Sequence, residues 1–192
     1  TNGKGAVADL TMAELQRLDA GGWVGPQFSF QHIPELSEVL KLAKGKVYVN
    51  IEIKSSAYEP NHPPDAVEKQ VVNLLRQNHL LGTSMISSFD VNILEQVALT
   101  KSPPAIAFIS KKPANSKTVQ MCTRLNAFSW HPDQRIVTSN QVKQMHAAGI
   151  RVFPYNVDSL EDFTRMRKMK VDGVITNDPV KAGEWANIKR AA

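Results

Sequence analysis

The chain has 192 residues, 42% of them hydrophobic and 21% charged, and a formal net charge of +5. These values suit one globular domain of ordinary size and exclude a disordered or collagen-like chain. No run of five like charges occurs, so the basic excess reads as a solvated surface able to steer an anionic substrate, not as a nucleic-acid arm. A single cysteine, Cys122, rules out an intrachain disulfide and a cysteine zinc site, and fits a reducing compartment, with the cytoplasm favoured. No apolar run is long enough to span a bilayer and no signal peptide is evident. Because the chain opens on Thr1, a processed or expressed piece of a longer protein is expected.

In chain order, residues 1–5 read as a turn, and Thr11 with Glu14 forms a capping box ahead of a short helix. Residues 21–29 combine Gly, Pro and aromatics as a loop. Pro34 opens a helix with Leu36, Val39, Leu40 and Ala43 on one face, and Gly45 stops it. Residues 47–54, V-Y-V-N-I-E-I-K, alternate strictly from Val49, with Val49, Ile51 and Ile53 on one side and Asn50, Glu52 and Lys54 on the other. An amphipathic surface strand is one reading. The other is a central βα strand whose polar face looks into an interior, where Glu52 and Lys54 need partners such as a metal ion and a phosphate.

A loop at 55–64 leads to a helix over 65–79 with Val67, Val71, Leu74 and Leu75 inward. Then a rhythm sets in. Strands are expected at 84–89, 105–109, 127–130, 150–157 and 171–176. Helices follow: one capped by Asp90 with Ile93, Leu94 and Val97 inward, one near 118–125, and one capped by Ser139 with Val142 and Met145 inward. A further helix starts at Ser159 with Leu160, Phe163 and Met166 inward, and the last is opened by Pro179. Six strand–helix units mean a parallel sheet with right-handed crossovers. An open doubly wound sheet and a (β/α)8 barrel both satisfy that pattern. No glycine-rich nucleotide loop follows any strand, and eight units usually need about 250 residues.

Phe89, Trp130 and Tyr155 fall near strand ends and are candidates for the apolar wall of a pocket; Asn156 is a candidate substrate contact. His131 reads as a solvated loop histidine, and Lys111 and Lys112 as surface. Ser88 stands outside any Gly-x-Ser-x-Gly turn, which argues against a serine hydrolase.

Several segments together resemble the glycerophosphodiester phosphodiesterase family: residues 1–5 with 10–21, 33–40, N-I-E-I-K at 50–54, S-S-F-D at 87–90, 149–158 and 171–179. The resemblance implies an α/β fold of the TIM type, a (β/α)8 barrel present as roughly six of eight units. It also implies one domain over 1–192, with 1–30 insertion-like and 31–192 forming barrel units. The implied activity is metal-dependent hydrolysis of a glycerophosphodiester to an alcohol and glycerol 3-phosphate. Glu52 would be a ligand of Mg2+ or Ca2+, and Lys54 the catalytic lysine facing the phosphate. The family's His-Arg-Gly, Glu-x-Asp and His-Asp segments match nothing here, and none of the five histidines takes their place. The expectation is therefore little or no activity from these residues alone. A non-catalytic piece that binds or assembles is the alternative, with self-association covering open barrel edges; an anion-binding module with a flavodoxin-like sheet is a third reading.

Overall fold

The computed structural model describes residues 1–187. By compactness the chain divides into a unit of residues 1–47 and a unit from Tyr48 onward, so the helix expected to open at Pro34, which begins at Leu36 after an N-cap at Glu35, groups with the leading segment.

The leading unit is sparsely helical. Helix α1 (Met12–Leu15) is one turn, held by the expected capping box: Glu14 N–H donates to Thr11 Oγ1 at 3.3 Å and Thr11 N–H to Glu14 Oε2 at 2.8 Å. Helix α2 (Leu36–Ala43) is capped by Glu35 and Glu38 in a second reciprocal box. Of its expected apolar face only Leu40 is fully buried, and Val39 is 38% exposed. The loop between the two helices needs glycine at 21, where a Cβ would collide with the Phe28 carbonyl oxygen.

The second unit is a parallel α/β array. Its elements are β1 (Val49–Glu52), α3 (Val67–Gln77), β2 (Ser84–Ser88), α4 (Val91–Ala98), β3 (Ala105–Ser110), α5 (Ser116–Arg124), β4 (Ser129–Pro132), α6 (Ser139–Ala147), β5 (Arg151–Val152), α7 (Leu160–Met169) and α8 (Pro179–Trp185). The five strands are all parallel and lie in the order β1-β2-β3-β4-β5. Each crossover therefore steps to the next strand in one direction, which builds a barrel wall. A doubly wound sheet would reverse direction at a switch point, so the strand order disposes of the flavodoxin-like reading.

Register fixes the two faces. Ile51, Ile86 and Ile106 stand side by side, with Ile86 fully buried and Ile106 3% exposed. Helix α4 packs on β2 and β3 through Ile93, Leu94 and Val97, all fully buried. Val142 and Met145 of α6 and Met166 of α7 are buried too, whereas Leu160, expected inward, is 55% exposed because it occupies the first turn of α7. On the other face, Glu52 aligns with Ser87, Ser87 with Ala107, and Ala107 with Ser129.

The sixth expected strand, 171–176, forms no ladder. It still follows β5: Asp172 N–H donates to Val152 O at 3.1 Å and Ile175 N–H to Pro154 O at 2.8 Å. Two features explain the missing ladder: Pro154, which faces this segment, has no N–H to donate, and the side chain of Asp172 takes the donor before it. Asp172 Oδ2 accepts the Val152 N–H at 2.8 Å, the donor a strand carbonyl would otherwise take, and also lies 2.8 Å from His146 Nε2. Gly173 lets this segment close on β5, since a Cβ there would meet the Phe153 ring at 2.9 Å.

Candidate active site

A cavity of about 270 Å³ opens at the carboxyl ends of the strands, lined by Asn50, Glu52, Lys54, Phe89, Ile109, His131, Tyr155, Asn156 and Ile175. Parity along the strands puts Asn50, Glu52, Ile109 and His131 there, and the loops after the strands bring the rest. Glu52 ends β1 on the face of Asn50, and Lys54 follows two residues on; Ile109 and His131 occupy the same face of β3 and β4, paired in register. Five expected site residues thus meet in one space: Glu52, Lys54, Phe89, Tyr155 and Asn156. Trp130 is the exception. It points to the opposite face, is fully buried, and donates its Nε1–H to Ser110 Oγ at 3.1 Å. It backs the wall and does not line the cavity.

Glu52 and Lys54 answer each other. Lys54 Nζ donates to Glu52 Oε1 at 2.7 Å, with the glutamate side chain 33% and the lysine 71% exposed. The two are less desolvated than an interior position implies, because among the described residues β1 has a strand on one side only. An ion pair this open contributes little stability; its significance lies in where it stands.

His131 is not the solvated loop residue that the sequence suggests. It belongs to β4 and is 3% exposed. Nε2 lies 2.9 Å from Ser129 Oγ, and the ring meets Phe153 edge-on at 5.6 Å. Among the described residues Nδ1 is buried without a partner. Burial pushes the imidazole down to about 4, so it is neutral at pH 7. The signal was there to read: alternation continues past Trp130, placing Ser129 and His131 on the face of Glu52.

Tyr155 and Phe89 form a T-shaped pair with centroids 6.2 Å apart. Burial first, then the Asp133 carboxylate, raises the Tyr155 hydroxyl above its ordinary value, keeping it a donor; it bonds Ser110 O at 3.2 Å. Asp133, just past β4, is held down to about 2, chiefly by hydrogen bonds from Arg135, whose Nε–H donates to Oδ1 at 2.9 Å.

A parallel barrel wall with an acid–lysine pair at its carboxyl mouth defines the class: an α/β-barrel protein with polar groups gathered where barrel sites sit. The comparisons carry this further. The model of the glycerophosphoryl diester phosphodiesterase family matches residues 1–181, and the chain belongs to that family of hydrolases. A glycerophosphodiester phosphodiesterase of Caldanaerobacter subterraneus subsp. tengcongensis is 34% identical over 181 residues, spanning 93% of this chain and 72% of the relative. One from Bacillus subtilis is 29% identical over 197 residues, spanning 93% of this chain and 65% of that protein. A phosphodiesterase of Oleispira antarctica, solved in complex with the product sn-glycerol-3-phosphate, superposes with a TM-score of 0.85 at 21% identity, covering 97% of this chain and 74% of the other. An Agrobacterium tumefaciens glycerophosphodiester phosphodiesterase gives a TM-score of 0.76 at 18% identity, covering 97% and 75%. These last two likenesses establish the fold.

Members of this family generally use a divalent metal ion. A hard cation takes six or more oxygen ligands, mostly carboxylates, carbonyls and waters. Among the described residues Glu52 is the one carboxylate lining the cavity, one of its oxygens is held by Lys54, and no three His, Cys, Asp or Glu side chains converge. These residues offer a cation one ligand and do not by themselves make a metal site.

Proposed function

We propose that the cavity at the carboxyl ends of β1–β5 binds a glycerophosphodiester, a small-molecule substrate, for hydrolysis to an alcohol and glycerol 3-phosphate. The observation that carries this reading is the Glu52–Lys54 pair at the strand mouth, in a chain of this family. Lys54 is the cation for the phosphoryl oxygens. Its ammonium, tethered beside Glu52, stabilises charge that grows on the equatorial oxygens during displacement. Glu52 offers one carboxylate oxygen to a divalent cation, Mg2+ or Ca2+; water and groups outside the described residues would have to complete that shell. Phe89 and Tyr155 supply apolar and aromatic wall, and the exposed amide of Asn156 is a free contact for a substrate hydroxyl.

We also propose that residues 1–192 alone turn over little. Attack by water needs a base, and departure of the alcohol needs an acid, each with a pKa near the working pH. His131, titrating near 4, is too weak a base and is unprotonated at pH 7, while Glu52 is engaged by Lys54. Incubation with glycerophosphocholine and added Mg2+ or Ca2+, followed by assay of released glycerol 3-phosphate, should give far less than the roughly 1–1000 per second typical of enzymes. Turnover within that range would show that these residues suffice and would overturn this part. Binding of sn-glycerol 3-phosphate that survives Lys54→Met undiminished would overturn the assignment of the site.

A further inference from the structure

The cavity at the Glu52–Lys54 pair is below the roughly 300–1,000 Å³ usual for ligand pockets, at about 270 Å³. It has room for a phosphate with one of its two ester arms, and the other arm must continue elsewhere. Two spaces adjoin it. One shares Asn50 and lies at the strand starts among Tyr48, Val49, Gly82 and Ala105, the end of a barrel away from chemistry. The other shares Phe89 and Ile109, opens at the carboxyl ends, and is a groove of about 640 Å³ bordered by Phe108, Lys111 and Lys112. Phe89 is the ridge between cavity and groove.

The groove has a definite charge. Lys111 and Lys112 are exposed, and no Asp or Glu is among its lining residues. Lys111 Nζ lies over the Phe89 ring, 5.6 Å from its centroid. That placement matters for selectivity. An aromatic face is what attracts a quaternary ammonium group, and here a lysine already covers it.

We propose that this groove receives the second ester arm and sets the substrate class: diesters whose alcohol is anionic or rich in hydroxyls are preferred, and those with a cationic alcohol are disfavoured. The proposal rests on the phosphodiester reading of the neighbouring cavity. It adds Lys111 and Lys112 as specificity-determining residues that leave the phosphate contact to Lys54.

Binding tests it on the 192-residue chain, without requiring turnover. The ligands are sn-glycerol 3-phosphate, which has no second arm, and its diesters with choline, glycerol and glycerate. The glycerol and glycerate diesters should bind about three- to tenfold more tightly than the choline diester at low salt, the range for two or so exposed charge contacts. The margin should shrink at high salt. Lys111→Ala with Lys112→Ala should erase it, and Lys111→Glu with Lys112→Glu should favour choline. Affinity for sn-glycerol 3-phosphate should stay within about twofold in every variant, since neither lysine touches the cavity. Equal affinity for all diesters, or a preference that survives both double variants, would overturn the groove proposal while leaving the cavity reading intact. Failure of every phosphate compound to bind would overturn both.

Discussion

Lys54 is 71% exposed and Glu52 33% exposed, yet they sit 2.7 Å apart where five strands end. Exposed pairs contribute about 0–1 kcal/mol, so Lys54→Met should shift stability by no more than about 0.5 kcal/mol in urea titration. A loss of several kcal/mol would mean that the pair is structural. His131 behaves in the opposite way. Its imidazole falls from 6.5 to about 4 on folding, so the fold binds the neutral form. Its contribution is complete above pH 6.5 and drains away as pH falls toward 4, by at most about 3 kcal/mol. Urea midpoints should drop between pH 7 and pH 4.5, and His131→Phe should flatten that slope. An unchanged slope would show that His131 is solvated. Cys122, fully buried with its thiol pushed up to about 12, should resist thiol reagents until the chain unfolds; fast labelling of folded protein would contradict its burial.

The elements show how far pattern alone reaches. The 3.6-residue spacing of Ile93, Leu94 and Val97 identified the buried face of α4, and all three have no exposure. Leu94→Ala should therefore cost about 2–5 kcal/mol, read as a lowered urea midpoint; under 1 kcal/mol would mean that the helix face was misread. Capping chemistry was legible at Thr11, Asp90 and Ser159. At α6 the cap is Thr138, whose Oγ1 accepts from Gln141 N–H at 3.3 Å, and not the neighbouring Ser139, because two adjacent hydroxyl residues give equal sequence signals. Strand polarity was legible at Glu52 and Lys54 from strict alternation. It was missed at His131, where Pro132 suggested that the strand had ended two residues sooner, at Trp130. The irregular pairing of 171–176 was only half legible: Pro154 announces a missing donor, but the Asp172 carboxylate reaching the Val152 N–H lay beyond pattern reading. Nor could spacing say that Trp130 would find Ser110 across the sheet.

At the scale of the whole molecule, strand order settled the architecture that periodicity left open. It also leaves β1 with a free edge among the described residues, flanked by Val47 at 60% and Tyr48 at 82% exposure. Unpaired edges invite pairing with another chain. We therefore expect self-association of this chain as concentration rises, visible by light scattering after size-exclusion chromatography; a strict monomer over a hundredfold concentration range would show that the edge is closed by other means.

The most direct test of the account is calorimetric titration of the chain with sn-glycerol 3-phosphate, alongside Lys54→Met and Glu52→Gln. Saturable one-to-one binding is expected, weakening about tenfold or more without the Lys54 charge, in a protein that remains as stable as the parent. Binding that ignores Lys54, or no binding at all, would contradict it.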